Sequence, residues 1–291
     1  MARQAKVTCR SWSTSLVALA LWALPVGGMA APGPGAPAGV TISYDAPSNP
    51  AHTGLRDLVQ EKRVLEKARG FFVPFRLPRP LLLRTAGCDG DINAWFEDDV
   101  ITICYEYLQD IRDTAANAKR PDWVSESAAI IGPVIDVFLH EGAHAIFDYF
   151  KVPVLGREED AADLVSAYAL LRLFGPEAQV LIPGIVYYYL SETGEHTFRT
   201  LERKRFHVVG GHAQANVHSN PLQRMYNVMC LAYGADPVRF RNVVALGVLP
   251  KDRAEGCADE YAQTAHAFDT LIRPHIDLDV LAREFPQEAA K

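Results

Sequence analysis

The chain is short of features that several classes of protein require. No two of its five cysteines form a CxxC pair, which excludes the finger and ribbon types of zinc site. No segment repeats another, so solenoids and propellers are excluded as well. Basic residues are not concentrated. The net charge of −6 is spread along 291 residues, so nucleic acid is not expected as a partner. The one basic run, RTLERKRFH at 199–207, has the composition of a solvated face or loop. Beyond residue 30 no stretch is long and charge-free enough to read as a membrane span, so stable membrane insertion of the mature chain is not expected.

What is present begins with export. Arg3, Lys6 and Arg10 precede an apolar stretch between Leu16 and Val26, followed by the small residues Gly28 and Ala30. This is the pattern of a secretory signal peptide over residues 1–30. Cleavage after Ala30 removes Cys9 and leaves Cys88, Cys104, Cys230 and Cys257, an even number bound for an oxidising space. Two disulfides are therefore expected. Of the three possible pairings, Cys88 with Cys104 and Cys230 with Cys257 are favoured because each closes a modest loop. A Pro/Gly/Ala-rich linker at 31–50 leads into one domain at 51–291, long enough to bury a sizeable core.

Helical spacing over residues 55–70, ending at Gly70, predicts a first helix. Alternating segments around Cys-Asp-Gly-Asp and Glu-Asp-Asp predict a small β-sheet. Further helices are expected at 105–118, 123–150, 157–175, 176–191, 221–233 and 253–272, with Pro133 either kinking the second of these or starting its regular part. Few strands followed by many helices is an α+β pattern.

The segment FLHEGAHAIFDYF, residues 138–150, carries the chemistry. Residues four apart on a helix differ by ~40° in direction, so His140 and His144 can offer ring nitrogens to one metal ion. Glu141 lies ~60° to the side of His144, placed to act on a water rather than on the metal. A catalytic zinc needs a third protein ligand. The acidic start REEDAAD of the next helix follows a tight turn and should fold back beside the first, with Glu159 and Asp163 on one face. Glu159 is then the expected third ligand, and Asp163 accepts a hydrogen bond from the far nitrogen of a ligating histidine. Glu158 and Asp160 have the simpler reading of acids complementing a helix dipole. Asp148 is a further possible ligand that more naturally faces solvent.

HEGAH followed by EDAAD resembles the HExxH and ExxAD pair of the gluzincin metallopeptidases. INAWFEDDVITICYEYL is similar to the strand segment ahead of the metal helix in the CaaX-prenyl and membrane stress-response peptidases. HSNPLQR places His218 six residues before Arg224, similar to the histidine and arginine of that family, although no proline directly follows His218. From about residue 55 onward the chain also resembles a family of secreted bacterial metallopeptidases of unknown function, through CYE, VPVLGREEDAAD, QRMYNVMCLAYGADP and the paired cysteines. The resemblance implies a gluzincin-like zincin domain, a zinc ion on His140, His144 and Glu159, and a peptide or protein substrate in the periplasm or outside the cell. It further implies that His218 contacts the oxyanion and that Arg224 holds a carboxylate such as Glu159. The residues around Asn93 to Phe96 are expected to rim the cleft, with Trp95 lining it. The rivals are a zinc-binding protein without hydrolytic activity, acting as chaperone, inhibitor or binding module, and a structural domain without metal. Oligomeric state is not readable from the chain.

Overall fold

The protein is described by a computed structural model over residues 39–117, 119–194 and 217–286. The segment expected to be a signal peptide, 1–30, and the basic run at 199–207 lie outside the described residues. The sheet has the order β1-β2-β4-β3, with β1 Val40–Tyr44, β2 Leu81–Ala86, β3 Ala94–Glu97 and β4 Val100–Cys104. β1 pairs parallel to β2, and β2 parallel to β4, while β3 returns antiparallel to β4 at the end of the sheet. The β3–β4 turn uses Asp98 and Asp99 at φ 49 and 64, a left-handed conformation that aspartate tolerates. β2 and β4 bury Leu81, Leu83, Ile101 and Ile103 completely.

Two expectations are corrected here. The linker assigned to 31–50 is shorter, because Val40–Tyr44 alternates apolar and polar residues and joins the sheet as β1. The helix expected at 55–70 is two, α1 Thr53–Glu61 and α2 Val64–Phe72, broken where Arg63 turns left-handed at φ 53. Gly70 does not end α2, because Phe71 and Phe72 continue its buried face.

α3 Tyr105–Ala115 follows β4 directly. α4 Glu126–Phe150 starts at Ser125, whose side chain accepts from the Ala128 N–H, and carries Pro133 inside its length. α5 Glu158–Phe174, α6 Ala178–Glu192 and α7 Pro221–Ala235 pack with α4 into the helical layer, and α8 Cys257–Leu271 and α9 Leu278–Glu284 close it. The helix expected at 253–272 starts later, at Cys257, after a separate turn of helix at Lys251–Ala254. α4 and α6 touch backbone to backbone. A Cβ on Gly184 would sit 1.9 Å from the Ala128 carbonyl oxygen, so only glycine permits this crossing. By length and composition α4 could cross a bilayer, but 72% of its most apolar window is buried within the protein, as befits a core helix. The result is an α+β domain with both expected disulfides, Cys88–Cys104 and Cys230–Cys257.

Candidate metal centre

The centre stands on the α4–α5 hairpin. Lys151 ends α4 in the left-handed conformation, and Gly156 at φ 106 helps the chain reverse. Because the two helices then run antiparallel, contacts step in opposite directions along them: Asp136 with Ser166, His140 with Asp163, His144 with Glu159.

His140 Nε2 lies 3.1 Å from Glu159 Oε2 and 3.3 Å from His144 Nε2, which lies 3.3 Å from the same oxygen. The two ring nitrogens and the carboxylate oxygen converge on one point between the helices. A tetrahedral ion with bonds of about 2.0–2.1 Å places its donors ~3.3 Å apart, so these three atoms have the spacing of three corners of a metal site. Among the described residues one other group comes together, Cys88, Cys104 and Glu106, but its two sulfurs are already joined.

Charge points the same way. Burial alone would lower the His140 imidazole, but the carboxylates of Asp163 and Glu159 outweigh it and hold it up at about 10. Contacts from His140, His144 and His218 hold the Glu159 carboxyl well below its usual range. These carboxylates call for positive charge at the ring nitrogens, which protons or a metal ion can supply. Glu141 is buried beside them, and burial pushes its carboxyl up against the pull of the two histidines.

The supporting contacts extend the sequence reading. His140 Nδ1 lies 2.8 Å from Asp163 Oδ1 in a poorly aligned contact. Arg224 grips Asp163 with two bonds, Nε to Oδ2 at 2.8 Å and Nη2 to Oδ1 at 2.6 Å. The partner of Arg224 is therefore Asp163 rather than Glu159. The guanidinium also lies 4.5 Å above the Tyr189 ring, whose hydroxyl donates to Asp136. His218 reaches the centre, with Nε2 2.8 Å from Glu159 Oε2 and its ring stacked on His140. Asp148 does not; it pairs with Arg79 and Lys151. Trp95 sits on β3 opposite Thr102, on the strand that ends the sheet.

Two features escape a reading by residue type. Glu158 is more than a dipole acid, because its Oε1 lies 2.8 Å from His144 Nδ1. Arg157 and Asp160 bracket Ser219: Arg157 donates to the Ser219 hydroxyl at 2.8 Å, and that hydroxyl donates to Asp160 at 2.6 Å. This latch pins the residue next to His218 onto the start of α5. The adjacency of Glu158 to Glu159 was a usable signal for the first, whereas nothing local announces a contact spanning 62 residues.

A helical hairpin carrying HExxH and an opposed glutamate defines a metallopeptidase type of centre. A family model described as "Putative metallopeptidase" matches residues 44–272, and the chain belongs to that family. No curated protein and no solved structure matches the chain.

Proposed function

We propose that the protein is an exported zinc peptidase with a gluzincin-like centre. The observation that carries this reading is the mutual 3.1–3.3 Å spacing of His140 Nε2, His144 Nε2 and Glu159 Oε2 with Glu141 buried beside them. Two imidazoles and one carboxylate suit zinc and leave a fourth position for water or substrate. Bound there, zinc supplies Lewis-acid polarisation of the scissile carbonyl and a water that is nucleophilic near neutral pH.

The chain's own residues do the rest. Glu141 takes the proton of the attacking water and returns it to the leaving amine. His218 donates from Nε2 to the oxygen that gains charge as the carbonyl is attacked. Asp163, held by Arg224, orients His140 through Nδ1. Glu158 does the same for His144. β3 ends the sheet among the described residues, and its outer edge offers backbone to an extended peptide, with Trp95 lining the cleft. The signal-peptide pattern at 1–30 and the two disulfides support export to the periplasm or beyond.

The test is hydrolysis of a mixed peptide library by the zinc-loaded mature protein and by Glu141→Gln. The proposal expects cleavage by the wild type and a loss of about 10²–10⁴-fold in the variant at unchanged zinc content. A zinc-loaded wild type that cleaves nothing would leave a metal-binding protein without hydrolytic function.

A further inference from the structure

A pocket of about 560 Å³ opens between the turn ahead of α1, the connection from β2 to β3, and α3, and none of its lining residues belongs to the metal centre. Three contacts hold its walls in place. The Cys88–Cys104 disulfide fixes the start of the β2–β3 connection to the end of β4. Glu106 accepts from the N–H groups of Cys88 at 3.0 Å and Gly90 at 3.2 Å. The backbone at Ser48 approaches Gly87 so closely that a Cβ there would sit 2.7 Å from the Ser48 nitrogen. The walls are therefore set before a ligand arrives, which lowers the cost of binding one.

The lining is acidic. Glu106, Asp110 and Asp113 fall at i, i+4 and i+7 of α3, on one face and over ~10 Å of its axis, and Asp89 joins them from the β2–β3 connection. Like charges at this spacing weaken a helix, yet among the described residues no lysine or arginine lines the pocket. The donors that reach these carboxylates are neutral: Tyr188 to Asp110 at 2.9 Å, Gln109 to Asp113 at 2.6 Å, and the two N–H groups on Glu106. His52 supplies a second, independent observation. It lines the same pocket, is only 8% exposed, and its Nδ1 has no hydrogen-bond partner. Glu106 Oε1 lies 3.9 Å from that nitrogen, too far for a hydrogen bond. A buried polar atom without a partner is a cost that a ligand removes. One ammonium nitrogen at about 2.9 Å from each atom bridges the gap, donating to both when the imidazole proton sits on Nε2.

A metal ion is a poorer fit, because among the described residues these carboxylates, with or without His52, do not bring three ligand atoms close enough to share one ion. Positive charge distributed along a chain does match carboxylates distributed along a helix. We propose that this pocket binds a linear aliphatic polyamine. One ammonium sits between His52 and Glu106, the others lie along Asp110 and Asp113, and the alkyl segments cover Ile92, which is otherwise 55% exposed. The site goes beyond the peptidase reading and is tested without it.

The experiment is isothermal titration calorimetry of the mature protein with spermidine at about 0.15 M salt, where unspecific attraction to an acidic chain is screened. One spermidine per chain is expected to bind saturably, and its triacetylated, uncharged form is expected not to bind. Asp89→Asn combined with Asp113→Asn, both at exposed positions, should weaken spermidine at least about tenfold without moving the melting temperature. His52→Phe keeps a buried ring and removes the acceptor, and should also weaken spermidine about tenfold; where it does not fold, the double asparagine variant carries the test. His144→Ala should bind spermidine as the wild type does, because the metal centre takes no part. Absence of saturable binding, loss of binding in His144→Ala, or wild-type affinity in either folded pocket variant would overturn the site. Equal binding of the triacetylated form, or one-for-one displacement of spermidine by calcium, would overturn the polyamine as its ligand.

Discussion

Asp163→Asn isolates the support beneath the metal centre. The carboxylate is buried, holds Arg224 through bonds of 2.6 and 2.8 Å, and lies 2.8 Å from His140 Nδ1. Its pKa is about 2: burial opposes this, and the contacts with His140 and Arg224 prevail. The asparagine keeps the shape and removes the charge, so Arg224 loses its carboxylate partner in a site where the buried acid Asp136 is already engaged by Tyr189 and Ser166. Breaking one side of a buried pair costs on the order of 3–5 kcal/mol. In a domain of this size that lowers the melting temperature by on the order of 10 °C. Loss of the charge behind His140 should separately weaken zinc by roughly 10–100-fold, or about 1.4–2.8 kcal/mol. Melting is measured on the protein in chelator, so that metal linkage does not contribute, and zinc affinity by competition with a chromogenic chelator. A variant that melts with the wild type and binds zinc equally would refute the assigned role of Asp163.

Three further outcomes follow from other parts of the molecule. Arg157→Ala or Ser219→Ala frees the residue beside His218, so turnover should fall by at least about tenfold with zinc content and KM little changed, and Ser219→Thr should restore most of it; equal turnover in all variants would dissolve the latch. Gly142→Ala places a Cβ 2.3 Å from the Phe72 ring, and overpacking there should destabilise by about 1–3 kcal/mol, read from denaturant midpoints; an unchanged midpoint would mean that Phe72 moves freely. Glu106 accepts from the N–H groups of Cys88 and Gly90, which outweigh its burial and lower its pKa, so its contribution is present above the unfolded carboxyl value and disappears as pH falls through the folded one. The melting difference between wild type and Glu106→Gln should therefore shrink below about pH 4.5, and a difference that grows there would reverse the sign.

The parts legible in the sequence were those set by local periodicity. His140, His144, Glu159 and Asp163 recur at four-residue spacing on two helices joined by a short turn, so their meeting required only that the hairpin close. The disulfides close short loops and were readable for the same reason. β1 was hidden because five residues of alternation sit beside a Pro/Gly/Ala-rich stretch that reads as linker. The break at Arg63 was hidden because neither Lys62 nor Arg63 is a helix breaker; only the packing of α1 and α2 calls for a left-handed residue there. Glu158 carries little signal of its own, because an acid in a first helical turn has a sufficient local explanation. The exchange of Glu159 for Asp163 as the partner of Arg224 depends on where α7 crosses α5, a tertiary fact with no local trace.

The central claim is that His140, His144 and Glu159 together hold one metal ion. Its most direct test is metal analysis of the purified mature protein by inductively coupled plasma mass spectrometry, beside His144→Ala and Glu159→Ala. The account predicts close to one zinc per wild-type chain, most of it lost in either variant while circular dichroism shows both still folded. A wild type that is folded and metal-free, and that takes up no zinc when it is supplied, would contradict it.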